Sequence, residues 1–199
     1  MDAPMTERTP DSGRIAADRY FAMAECGIIA SDDRVELLEG LIVAMAPQSP
    51  LRASTISRIH RALLRGLGPD TLIRIQSSLP LSGSSVPEPD IAVVPGRAED
   101  YLRHHPSHAH LVIEVADSSL VQDRITKAAI YARAGVPCYW VVNLRHHRVE
   151  VLRDPEPRMA RYRSVAAATA TQQLTIDAFP GVFFTAADLL PPSETEVLP

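Results

Sequence analysis

The chain has 199 residues, 46% of them hydrophobic, and a net charge of −4; its mean hydropathy is −0.02. That fits one compact domain with a core, and it excludes a generic basic nucleic-acid coat and a wholly disordered chain. Cys26 and Cys138 make no disulfide or metal framework and suit a reducing compartment, so a cytoplasmic protein is expected. Residues 1–13 are polar, with two prolines and no apolar stretch, and no apolar run reaches the length of a membrane span. No signal peptide and no membrane contact are therefore expected.

In chain order, residues 15–26 predict an amphipathic helix, with Ile15, Tyr20, Phe21, Met23 and Ala24 as its apolar stripe and Gly27 as its stop. Residues 34–46 read as a β-hairpin turning at Glu39-Gly40. Residues 51–67 predict a second helix, with Ile56, Ile59, Leu63, Leu64 and Leu67 on one face. Arg52, Arg58, Arg61 and Arg65 lie largely on other faces, where a phosphate contact and a solvated surface are equally good readings. Residues 71–77 alternate as a strand, and the apolar runs 91–94 and 111–116 suit central strands. Between them, residues 97–108 predict a short helix and loop, and the tract H-H-P-S-H-A-H reads as solvated loop because nothing in its spacing makes a zinc site. Residues 121–134 predict a helix, with cap candidates at Asp117, Ser118 and Ser119 and a stop at Gly135. Residues 138–144 and 148–152 then pair across a turn, M-A-R-Y-R-S-V continues the antiparallel run, and short strands are expected around Leu174 and Phe183. The sum is an α/β fold: a mixed sheet with flanking helices and an N-terminal β-hairpin. A single domain is expected over 14–190, with disordered tails at 1–13 and 191–199.

Three residues carry chemistry. Glu114 is a lone carboxylate in the apolar run L-V-I-E-V-A, which is costly to bury unless a cation or a metal pairs with it. Asp90 follows Pro89 and heads the strand at 91–94, so it can join Glu114. Lys127 is the only lysine among 20 Lys and Arg residues, and it sits one helical turn after Asp123 on an inward-facing side. Asp123 and Lys127 also have the spacing of an ordinary helix ion pair. An inward lysine beside two carboxylates is better explained as part of a site, and an all-oxygen ligand set suits Mg²⁺ or Mn²⁺.

The run P-D-I-A-V-V … L-V-I-E-V-A-D-S-S-L … D-R-I-T-K-A-A-I-Y-A-R-A-G-V-P-C-Y-W-V-V-N-L resembles the Uma-type restriction-endonuclease family of the PD-(D/E)xK nuclease superfamily. The likeness extends upstream to R-V-E-L-L-E-G-L-I-V-A-M-A-P-Q-S-P and covers roughly 15–190. The resemblance implies a restriction-endonuclease-like fold and a metal-dependent endonuclease that hydrolyses DNA phosphodiesters. It implies Asp90, Glu114 and the Val115 carbonyl as metal ligands, Glu36 as a further acid completing the shell, and Lys127 as the group that activates water or stabilises the transition state. The superfamily's usual lysine position, two residues after the glutamate, is Ala116 here. Where family members often carry a histidine after Ser-Pro, this chain has Arg52. Arg52, Gln76 and Asp123 are candidate substrate contacts. A homodimer is expected, because cutting two strands takes two sites. The alternatives are a nuclease-fold protein that binds nucleic acid or a protein partner without cutting, and a hydrolase of smaller phosphoesters.

Overall fold

The computed structural model describes residues 13–192; most of the two expected tails, 1–12 and 193–199, lies outside the described residues. Within the described residues Pro191 is held, its carbonyl accepting a hydrogen bond from His147 Nε2 at 2.9 Å. Helix α1 (Ala17–Glu25) is followed by the hairpin β1 (Val35–Leu38) and β2 (Leu41–Ala44). Its turn residues Glu39 and Gly40 have φ of 49° and 82°, the left-handed pair that a two-residue hairpin turn requires. A Cβ on Gly40 would also lie 2.6 Å from Arg14 Cβ, so close approach adds a second demand for glycine.

Helix α2 (Pro50–Leu67) starts where Ser49 Oγ accepts the Arg52 backbone N–H and Pro50 takes the first helical position. It leads into a six-stranded sheet of order β3-β4-β5-β6-β7-β8. The strands are β3 (Leu72–Ile75), β4 (Ile91–Val94), β5 (Leu111–Ala116), β6 (Cys138–Asn143), β7 (Arg148–Glu156) and β8 (Arg161–Ala168). Only β5 and β6 run parallel; the other neighbours are antiparallel. The parallel step needs a crossover, and the helical segment 120–133 supplies it. That segment is α3 (Leu120–Gln122), a π-helical turn (Asp123–Lys127) and α4 (Ala128–Arg133). It ends as expected, at Gly135 with φ 73°. A small pair, β9 (Gln173–Thr175) with β10 (Phe183–Thr185), and the short α5 (Ala186–Leu189) complete the chain.

Strand alternation divides the sheet into two faces. Ile91, Val93, Leu111, Ile113, Val115, Trp140 and Val142 pack against Ile56, Ile59 and Leu63 of α2. Each fully buried aliphatic chain of this kind stabilises the fold by roughly 1.5–3 kcal/mol. Ala92, Val112, Ala116, Tyr139 and Val141 face the other way, toward Ala128, Tyr131 and Ala132 of α4. A third, small core joins Ala17 and Tyr20 to Leu37 and Val86. Leu37 and Val86 exchange backbone hydrogen bonds, which fixes the hairpin to the segment leading into Pro89 and Asp90. No helix among the described residues is long and apolar enough to cross a membrane.

Candidate active site

The antiparallel registers line up the acidic groups. Ile75 lies opposite Ile91, and Ile91 opposite Ile113. One step further along the ladder brings Gln76, Asp90 and Glu114 into a cross-strand row, on the face covered by the 120–133 segment. Four acids of the neighbourhood are buried: Asp90 is 0% exposed, Glu114 1%, Asp123 2% and Glu36 3%.

Lys127 is buried among them. Its Nζ lies 2.9 Å from Glu114 Oε1 and 3.1 Å from Glu36 Oε2. The Tyr131 hydroxyl, one helical turn on, donates to the same Glu114 Oε1 at 2.8 Å. Glu36 Oε2 also accepts the Glu88 backbone N–H at 3.1 Å. The expectation that Glu36 completes a metal shell meets a different arrangement: Lys127 stands between Glu36 and Glu114. Among the described residues, no three His, Cys, Asp or Glu side chains group in a way that could hold a metal ion by themselves.

Asp90 is held from three sides. The Arg52 guanidinium chelates it, with Nη2 3.0 Å from Oδ1 and 2.9 Å from Oδ2. The Val115 backbone N–H donates to Oδ2 at 2.8 Å, and Gln76 Nε2 donates to Oδ1 at 3.3 Å. The arginine that the sequence left between a phosphate contact and a solvated face is turned inward onto an acid. Arg58, on the same helix, instead donates to the carbonyls of Ala187 and Asp188.

Asp123 and Lys127 do not form the ordinary helix ion pair their spacing allows. Asp123 Oδ2 accepts from Ser119 Oγ at 2.6 Å, while Lys127 turns to Glu114 and Glu36. The π turn that carries both was not legible in the sequence. Such turns are frequent at functional sites, and this one directs both side chains inward. The Tyr139 hydroxyl donates to the Asp123 carbonyl at 3.0 Å, so this core tyrosine also has a polar task.

The charges do not balance. Among the buried groups, Glu36, Asp90, Glu114 and Asp123 stand against Lys127 and the mostly buried Arg52, which leaves two negative charges if all ionise. Burial pushes the Glu114 carboxyl up to about 8; Lys127 opposes this, and Asp123, Asp90 and Glu36 add to it. Burial also raises Asp123, with Lys127 and Ser119 opposing. For Lys127 burial pulls downward, but Glu114, Glu36 and Asp123 outweigh it and the ammonium is held above its ordinary range. Glu114 Oε2 is buried and has no hydrogen-bond partner. An orphaned carboxylate oxygen in a cluster short of positive charge fits a divalent cation with oxygen ligands. Of the sequence candidates, Asp90, Glu114, Lys127, Glu36, Gln76, Asp123 and the Arg52 side chain are brought into one neighbourhood, with Val115 in the adjoining backbone. Tyr131 was missed, although its place four residues after Lys127 on the inward side was a usable signal.

No curated protein matches the sequence. A solved structure described as "a putative nuclease belonging to DUF820" from Anabaena variabilis superposes with a TM-score of 0.67 at 15% identity, covering 88% of this chain and 97% of that one. At that identity the likeness speaks for the fold alone, and it is the mixed-sheet nuclease architecture expected from the sequence. The family model described as "Putative restriction endonuclease" matches residues 17–187, and the chain belongs to that family, Uma2.

Proposed function

We propose that the chain is a metal-dependent endonuclease that hydrolyses phosphodiester bonds of DNA at the Asp90–Glu114 row. The observation that carries this reading is the orphaned, buried Glu114 Oε2 beside uncompensated carboxylate charge. Family membership supports a nuclease; the ligand set and mechanism are our reading of the geometry. Asp90, Glu114 and the Val115 carbonyl would hold one Mg²⁺ or Mn²⁺. When bound, such an ion polarises a non-bridging phosphate oxygen and lowers the pKa of the attacking water. Lys127 keeps its proton in this surrounding, so its role is electrostatic: it faces the negative charge that develops as water's oxygen bonds to phosphorus and the ester oxygen leaves. Glu36 contributes by fixing Lys127, and Tyr131 by fixing Glu114 Oε1. Cutting both strands of a duplex takes two such sites, which a homodimer supplies.

A second reading is favoured by one observation. Arg52 already satisfies Asp90, as in a nuclease fold that binds nucleic acid or a partner without cutting. Nicking of supercoiled plasmid by the wild type in Mg²⁺ or Mn²⁺, beside Asp90→Ala and Lys127→Ala, decides between them. Cutting that needs the metal and both residues supports the endonuclease. A wild type that never cuts supports the second reading, and equal cutting by the variants removes the site from the reaction.

A further inference from the structure

Asp90 and Glu114 are neighbours in one row, yet their carboxylates are in opposite states. Glu114 keeps an oxygen with no partner. Asp90 has none to spare: Arg52 Nη2 reaches both oxygens, Arg52 Nε reaches Oδ2 at 3.3 Å, and Gln76 and Val115 take the remaining directions. A carboxylate offers about four lone-pair sites, and all are used. Two of the partners are fixed in place, the Val115 amide by the sheet and Gln76 by its own backbone bond to the Asp90 carbonyl. Arg52 is the charged partner, reaching Asp90 from the side. Its backbone is anchored by the Ser49 cap, but its side chain is 12% exposed, against 5% for Lys127 and 0% for Asp90. Gln76 is partly buried as well, but it carries no charge, so Arg52 is the one cation on Asp90 that reaches toward solvent. A guanidinium does not leave by losing its proton, so it must swing away for a second cation to bind the same oxygens.

We propose that Arg52 is a built-in competitor for the divalent cation: it occupies Asp90 in the resting protein and must be displaced before the ion can bind there. This rests on the metal-dependent reading above and deepens it. The site is half open, at Glu114, and half closed, at Asp90. Metal loading is then set by how readily the Arg52 side chain rotates out of the row. A displaced guanidinium beside a metal-bound phosphodiester has a natural second partner in the phosphate oxygens, which it can engage as bidentately as it engages Asp90.

The test is Mn²⁺ binding by the full chain, followed calorimetrically and by the spin-resonance signal of free Mn²⁺, with no substrate present. Competition predicts that Arg52→Gln tightens Mn²⁺ binding by about tenfold, within the range typical of coupled binding events, and that Arg52→Gln combined with Asp90→Asn abolishes the gain. Arg52→Lys retains a charge but loses the planar fork, so it should give a smaller gain in the same direction. It carries the comparison if the glutamine variant does not fold without metal. Unchanged or weaker binding in both Arg52 variants, with Asp90→Asn still abolishing binding, overturns the proposal and leaves the metal site standing. No Asp90-dependent Mn²⁺ binding in any variant overturns the proposal together with the metal-dependent reading.

Discussion

Two glutamates on the same face of the sheet have opposite fates. Glu114 lies opposite Val141, and Val141 opposite Glu150, so the two acids share one cross-strand row with a single valine between them. Glu150 is surrounded by donors: Arg124, which forks onto both its oxygens, Asn143 at 3.0 Å and Arg148 at 3.0 Å. Burial would raise its carboxyl, but those hydrogen bonds win and hold it down at about 2. Glu114 has one lysine shared with Glu36, one tyrosine, and an oxygen that touches no donor; burial wins and holds it up at about 8. The strand supplies the same carboxylate in both places. What differs is the number of donors, and only the underprovided acid keeps an oxygen without a partner. A saturated carboxylate is structural, and an unsaturated one in the same row is the candidate ligand.

The largest expected effect comes from removing the sole cation shared by Glu36 and Glu114. Lys127→Met leaves both buried carboxylates without it, and stability measured by urea unfolding should fall by about 3–5 kcal/mol. The loss should grow as pH rises through the Glu114 titration at about 8 and be smaller below it, where Glu114 holds a proton. An unchanged unfolding midpoint would mean that the buried ion cluster is absent from the folded protein.

Next in size is Glu114→Gln, which should reduce metal-dependent plasmid cutting by on the order of 100-fold without lowering stability at neutral pH. The folded Glu114 titrates at about 8, above its ordinary 4.5. The wild type therefore loses stability as pH rises through that window, and the glutamine variant should not follow it. Glu150→Gln should leave cutting within a few-fold of wild type, and a loss equal to that of Glu114→Gln would erase the distinction between the two acids. Millimolar Mg²⁺ or Mn²⁺ should raise the melting temperature of the wild type, equivalent to about 2.7 kcal/mol at a hundredfold excess over Kd. The rise should vanish in Glu114→Gln, and a wild-type melting temperature indifferent to both ions removes the metal site.

Much of this was legible in the sequence, for identifiable reasons. Strands 91–94 and 111–116 show as apolar runs because both of their faces are buried. Glu114 showed because a charge in such a run has no ordinary excuse. Lys127 showed because the chain has no other lysine. What stayed hidden depends on contacts between distant elements. Arg52 and Asp90 are 38 residues apart, and helical periodicity places Arg52 off the apolar stripe without saying which group it reaches. Glu36 was placed near the site only by resemblance, and its partnership with Lys127 rests on the Leu37–Val86 bridge, which no local pattern encodes. The π turn at Asp123–Lys127 leaves the i, i+4 spacing unchanged, so the sequence reads as a regular helix.

The smallest expected effect belongs to the saturated acid. Glu150 has a folded value of about 2 against an ordinary 4.5. Its contribution to stability is therefore fully present above about 4.5 and is lost as pH falls toward 2, where protonation breaks the bonds to Arg124 and Arg148. Those arginines are about one-third exposed, at 36% and 37%, so solvent screens the pair. Screening holds the contribution to about 1 kcal/mol, well short of what the shift alone would suggest. Urea unfolding of wild type and Glu150→Gln between about pH 6 and pH 2.5 should converge as pH falls. Added salt should narrow the gap at pH 6, because the partners are exposed. Glu114 must behave in the opposite sense, losing its stabilising contribution as pH rises. If both acids drifted the same way with pH, the difference in donor number would not be what separates them.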